Sequence, residues 1–323
     1  MPLDPHLQGL LTLARSFGRS PLGAGTPEQA RRLLRTLTVG VRIVDATVPV
    51  GSVTDHVIRA GRSRLPVRIY RPVGPRTTRR PTLVYFHGGG FVIGDLDTHD
   101  EACRWLCREV DAVVVSVAYR RAPEAPFPAA VDDALASTRW VVDHIGRLGG
   151  DRRRVAVAGD SSGGNLAAVV TQAWRDDPHR PPLAAQLLIY PVTDLEDEGG
   201  DRYPSRREHA EGYLLTGDDL RWFASHYLGA TEDRRDPRLS PVHGDPTGLP
   251  PAVIVTAEFD PLRDEAETYA AALRSADVPV VHHRFDGLIH GFFALPAVSP
   301  ACLAAVTTTC GSLRETIART RQP

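Results

Sequence analysis

Six short runs along the chain are almost continuously apolar: TLVYF at 82–86, AVVVSVAY at 112–119, RVAVAG at 154–159, LAAQLLIY at 183–190, AVIVTA at 252–257 and VPVVHHRF at 278–285. Runs of this length without polar alternation predict strands covered on both faces. Between them lie helical patterns, AAVDDALASTRWVVDHIGRL, SGGNLAAVVTQAWRD and RDEAETYAAALRSA, and a closing helix is predicted around 299–318. Two mixed runs, VRIVDATVPV and LPVRIYRP, place the start of the sheet at about Val41, with the second ending at Pro72 as a strand near a sheet edge does. Strand and helix alternate, which predicts an α/β fold: a mostly parallel, doubly wound sheet of about eight strands with helices on both faces.

Two regions break the alternation. Residues 1–40 mix polar and apolar positions at helical spacing, with Leu10, Leu11, Leu13 and Ala14 in a first helix, then Thr26 as a cap and Pro27 in the first turn of a second. Between Pro191 and about Pro250 no strong strand pattern occurs, only loop and helix signals such as DLEDEGGDRYPS and TGDDLRWFASHYLG. Internal repeats, low-complexity tracts and a linker are absent from the pattern. A single domain over 1–323 follows, with the helices inserted at about 191–250 as a cap.

Composition changes the picture mainly by exclusion. The 323 residues carry a formal net charge of −1, and all 38 Lys+Arg residues are Arg. Such a balance offers no global attraction to a phosphate backbone or an anionic lipid surface, so neither a nucleic-acid nor a membrane partner is expected. No stretch of about 18 apolar residues occurs, and the first 20 residues lack a basic region followed by a long apolar one. No secretory signal is expected, and cytoplasm is the expected location. Cys103, Cys107, Cys302 and Cys310 are too few for a disulfide framework and read as buried thiols, the first pair one helical turn apart.

The sharpest chemical signal is Gly159-Asp160-Ser161-Ser162-Gly163, a G-x-S-x-G set between a strand and a helix. A nucleophile there sits on a strained turn, and small residues at 159 and 163 let neighbouring backbone approach. Ser161 is centred between the glycines and is the candidate nucleophile; Ser162 follows it with its amide at the helix N-terminus. His87-Gly88-Gly89-Gly90-Phe91 directly follows the strand TLVYF, and its bare backbone amides suit stabilisation of a developing alkoxide, with Gly89 and Gly90 as donors. His87 itself reads as structural. A serine nucleophile needs a base and an orienting carboxylate downstream of it. Asp260, after AVIVTA, is the carboxylate candidate, with Asp264 displaced into the following helix. His290, in GLIHGFF after the last strand, is the base candidate. His282 and His283 lie on that strand facing opposite ways and read as packed or solvated side chains; with Asp286 and His290 they make no recognised metal spacing.

Taken in order, HGGGF, YRRAPEAPFPAAVDDA, GDSSGG, DPLRDE and HGF resemble the hormone-sensitive-lipase-like family of α/β-hydrolase esterases, from about Val67 to His290. The resemblance implies a cap built from the N-terminal helices, about 1–40, and the 191–250 insertion, triad roles for Ser161, Asp260 and His290, and oxyanion donors Gly89, Gly90 and Ser162, with His87, Gly88, Gly159, Asp160 and Gly163 supporting them. Where related sequences usually carry Ala after the nucleophile, this chain has Ser162, a change that leaves the amide donor in place. The expected reaction is hydrolysis of short-chain carboxylic esters through an acyl-enzyme on Ser161, with a small ester as partner and neither metal nor organic cofactor. A homodimer is in keeping with similar proteins. Amide or peptide hydrolysis by the same triad, and a non-catalytic small-molecule receptor on the same fold, are the alternatives.

Overall fold

In a computed structural model of the protein, residues 1–16, 25–40, 47–60, 63–75, 79–197, 200–231 and 233–320 are described. Eight strands form one sheet: β1 (Ser52–Ala60), β2 (Ser63–Arg71), β3 (Arg80–Phe86), β4 (Val113–Val117), β5 (Gly150–Asp160), β6 (Ala185–Ile189), β7 (Ala252–Phe259) and β8 (Val280–Ile289). The spatial order is β1-β2-β4-β3-β5-β6-β7-β8, with β1 and β2 antiparallel to their neighbours and the other pairings parallel. The helices are α1 (Pro5–Ser16), α2 (Pro27–Thr38), α3 (Asp100–Val110), α4 (Ala129–Asp143), α5 (Ile145–Leu148), α6 (Ser162–Arg175), α7 (Ser205–Glu208), α8 (Gly217–Leu228), α9 (Arg263–Ser275) and α10 (Pro300–Arg319).

The period of two along each strand divides the apolar side chains between two cores. Val84, Val115, Val157, Leu188 and Ile254 face one layer, packed with α4, α6 and α9. Leu83, Val114, Ala156, Leu187 and Val253 face the other, packed with α3 and α10. Both faces are therefore dry, which is why the central strands read as unbroken apolar runs. Cys103 and Cys107 on α3 and Cys302 and Cys310 on α10 are all buried free thiols in this second core.

The sheet begins later than the sequence pattern suggests. Part of VRIVDATVPV, residues 41–46, lies outside the described residues, and 47–50 form no strand. The first strand is instead SVTDHVIRA, whose outer position leaves Asp55, His56 and Val57 exposed and so hides it from a search for apolar runs. β8 also runs past VVHHRF to Ile289, because a register irregularity between Ala257 and Phe259 lets Phe259 pair with Ile289. His290 thus emerges directly from the strand end.

Elements outside the alternation gather over the carboxyl ends of the strands. Thr26 and Gln29 form a reciprocal capping box on α2. From that helix Arg31 grips Glu124 with both ends of its guanidinium at 2.7 Å and donates to the carbonyls of Val92 and Ala122. Arg31 holds the Glu124 carboxyl down at about 2. α8 turns its aromatic residues inward: Tyr227 is buried and stacks on Phe91 at 3.7 Å between centroids, Phe223 is buried, and Leu220 and Trp222 pack partly buried against the same core. Among the described residues no helix is long and apolar enough to cross a membrane.

Leu188 on central β6 is fully enclosed between layers. Leu188→Ala is expected to cost about 2–5 kcal/mol of folding free energy, and Val57→Ala on the exposed edge less than about 0.5 kcal/mol. Urea unfolding of both variants measures this; equal losses would contradict the two-sided burial described above.

Candidate active site

β5 ends at Asp160 and α6 begins at Ser162, which leaves Ser161 alone to reverse the chain. It adopts φ 54° and ψ −118°, a conformation that costs a non-glycine residue of order 1–3 kcal/mol and persists only where surroundings impose it. They do so through the backbone: the Ser161 amide donates to the Ile189 carbonyl at 2.8 Å, and its own carbonyl accepts from Asn165 at 3.1 Å and Val192 at 3.2 Å. A Cβ on Gly159 would strike the Gly163 carbonyl, and one on Gly163 would strike that of Phe86. Here the two glycines of the motif are required by close approach of backbone to backbone.

The residues singled out in the sequence meet at this turn. Ser161 Oγ lies 3.1 Å from His290 Nε2, and His290 Nδ1 lies 2.8 Å from Asp260 Oδ2. The second Asp260 oxygen accepts from the Leu262 amide at 2.8 Å, so the carboxylate is fixed at both atoms. Asp260 is fully buried, while Ser161 and His290 each keep a small exposed fraction. Asp264 is one of the first residues of α9, where it accepts from the Ser205 amide. His282 and His283 stand apart, Nε2 of the first beside Thr256 and of the second beside Ser312.

The glycine loop after β3 lies alongside. Gly89 and Gly90 both have positive φ, 110° and 58°, and the Gly89 carbonyl accepts from Val92 and Ile93. Their own amides donate to no group among the described residues. The Ser162 amide sits in the first turn of α6, where no intrahelical carbonyl is available to it. Ser162 Oγ has a separate task, accepting from the Phe91 amide at 3.2 Å. This collection offers a hydroxyl next to a base whose far nitrogen is fixed by a carboxylate, beside unpaired donors suited to a developing oxyanion.

Behind the loop lies a polar network only partly anticipated in the sequence. His87 stacks on Tyr119, donates from Nδ1 to the Gly88 carbonyl, and is driven down to about 3 by burial reinforced by nearby His99, so it is neutral. Asp160 Oδ1 accepts from the Gly88 amide at 2.9 Å and the Tyr85 hydroxyl at 2.5 Å, and Oδ2 lies 3.4 Å from His99 Nε2. Burial would raise the Asp160 carboxyl, but the charge and hydrogen bond of His99, aided by Tyr85, outweigh it and hold it low. Tyr190, with φ 35°, packs its ring 4.5 Å from that of His290. Tyr85, His99, Tyr119 and Tyr190 escaped the sequence reading because they occur in apolar runs or in motifs without recognised chemical roles; a tyrosine in an otherwise aliphatic buried strand is the signal that could have found Tyr85. Phe223 of α8, packed on Gly90, and Leu214, packed at Gly291, close over the site from the 191–250 segment.

A comparison with known families matches residues 83–294 to a family described as having the alpha/beta hydrolase fold. Among characterised proteins, the chain is 41% identical to the carboxylic ester hydrolase LipN of Mycobacterium tuberculosis, over 98% of this chain and 84% of that protein. It is 37% identical to an ethyl acetate hydrolase of Pseudomonas putida, over 92% of this chain and 94% of the other. Among solved structures, a hyperthermophilic esterase from the archaeon Pyrobaculum calidifontis superposes with a TM-score of 0.91 at 38% identity, covering 98% of this chain and 99% of that one. With the ordered motifs, the eight-stranded sheet and these likenesses together, the chain belongs to the hormone-sensitive-lipase-like family of α/β hydrolases.

Proposed function

We propose that this protein is a serine carboxylesterase acting on short-chain esters through an acyl-enzyme on Ser161. The observation that carries the reading is the continuous relay Ser161 Oγ, His290, Asp260 at 3.1 and 2.8 Å, beside the unpaired amides of Gly89 and Gly90. His290 takes the Ser161 proton as Oγ attacks the ester carbonyl, and the amides of Gly89, Gly90 and Ser162 receive the oxyanion. The alcohol then leaves with that proton, and water attacks the acyl-enzyme with His290 again as base. Asp260 holds His290 in the tautomer with hydrogen on Nδ1 and stabilises the imidazolium.

The N-terminal helices and the 191–250 segment act as a cap that bounds the ester pocket. Phe223 stands against Gly90 of the glycine loop and Leu214 against Gly291, the residue after His290. The aromatic stripe of α8 is spent on packing inward and offers no apolar face to an oil–water interface. Both features favour dissolved short esters over emulsified lipid.

Organophosphate labelling with peptide mass mapping is expected to place the adduct on Ser161, and Ser161→Ala to lose on the order of 10⁶ in kcat. An adduct on Ser162 or retained turnover contradicts the assignment. Across p-nitrophenyl esters from acetyl to palmitoyl, kcat/KM is expected to rise as each methylene adds about 0.8 kcal/mol of burial, peak at a short chain and then fall. A palmitoyl optimum, or a jump in rate when tributyrin passes its solubility limit, would refute the short pocket.

A further inference from the structure

His99 stands between a carboxylate and a hydroxyl. Nε2 faces Asp160 Oδ2 at 3.4 Å, where a bare nitrogen lone pair would oppose a carboxylate already accepting two hydrogen bonds through its other oxygen, so Nε2 carries hydrogen. On the far side Thr98 Oγ1 accepts from the Asp95 amide at 2.8 Å and has one hydrogen to place between the Asp95 carbonyl and His99 Nδ1, each at 2.9 Å. With that hydrogen on the carbonyl, the hydroxyl accepts from Nδ1 and the ring is an imidazolium paired with Asp160, each side chain close to nine-tenths buried.

From this geometry we propose that His99 is a positively charged positioning residue for the oxyanion loop, and that its deprotonation gives turnover an alkaline limb. The link runs through one carboxylate. Asp160 precedes the nucleophile in the chain and anchors the Gly88 amide, the residue from which Gly89 and Gly90 extend. While His99 is charged, Asp160 remains an ionised acceptor for Gly88. Once His99 is neutral, a buried carboxylate loses its counter-charge and must take up a proton or move, and the loop anchor loosens. The inference rests on the oxyanion role assigned above to Gly89 and Gly90.

The direction of the titration follows from the groups that face the ring. Burial disfavours the cation, but Asp160 at the end of β5 and Asp95 in its own loop outweigh it and raise His99 above the ordinary histidine value. Arg35 of α2 pairs with Asp95, tying the same node to the N-terminal helices. Tyr85 on β3, Cys103 on α3 and Tyr190 after β6 lie around Asp160, and burial keeps each of them protonated. A raised value means that the contribution is present below the ordinary histidine range and lost as pH climbs through the folded-state value.

Two readouts test this. In the first, kcat and KM for p-nitrophenyl acetate are followed from pH 5 to 10. The wild type is expected to lose turnover at the alkaline end. His99→Gln is expected to lose roughly 10- to 100-fold in kcat at pH 7, the scale of a misplaced oxyanion donor, with KM within about threefold and no alkaline limb. In the second, ¹⁵N-histidine-labelled protein at pH 7 should give one imidazolium signal set absent from His99→Gln and shifted to neutral imidazole in Asp160→Asn. A neutral His99 in the wild type overturns the proposal, as does a wild-type profile flat to pH 10 or an alkaline limb that survives in His99→Gln. The spectroscopic arm needs no turnover and reads the wild type, so it still decides His99's charge if the substituted protein fails to fold. A wild type without esterase activity but with charged His99 would instead refute the function proposed above.

Discussion

The backbone reversal at Ser161 is the constraint from which the site follows. A serine at φ 54° is stored strain, held by the Ile189 carbonyl on one side and by Asn165 and Val192 on the other. Those partners belong to the end of β6, the loop after it and the first turn of α6, so the strand order of the sheet and the start of the helix jointly impose the conformation. Such strain survives only because surrounding structure over-determines it. It lifts the Ser161 hydroxyl off the end of the sheet, within reach of His290 at the end of β8.

Around that turn the protein keeps charge in two compartments. Asp260 is committed to His290 and to the Leu262 amide, while Asp160, the residue before the nucleophile, is committed to the glycine loop. The carboxylates are both buried, yet each finds its own partners, so neither competes for the other's histidine. Neutral His87 and the stacked Tyr119 fill the space between the loop and the β4 end without adding charge.

The segments outside the strand–helix alternation reach the same region by different physics. α2 is fastened by ion pairs and carbonyl contacts from Arg31 and Arg35, whereas α8 is fastened by aromatic packing of Phe223 and Tyr227. Polar attachment tolerates water and small shifts; the aromatic contact on Phe91 and Gly90 does not, because close-packed rings lose their contacts on sub-ångström displacement. α8 is therefore the stiffer of the two walls beside the glycine loop.

By itself the sequence determined the layered α/β architecture, because two-sided burial writes itself into β3 to β7 as unbroken apolar runs. It also singled out Ser161, Gly89 and Gly90, because a strained turn and a bare-amide loop tolerate few residue types at fixed spacing, and Asp260 and His290 by their positions after β7 and β8; the structure brings Ser161, His290 and Asp260 into one hydrogen-bonded row. Edge strand β1 escaped it, since a strand with one wet face and charged residues such as Asp55 and Arg59 carries no apolar run. Only the tertiary structure decided what His99 and Tyr85 do. Their roles arise from contact with Asp160 across 61 and 75 positions of chain, and nothing in a side chain's local sequence records the electrostatic partner that folding delivers to it.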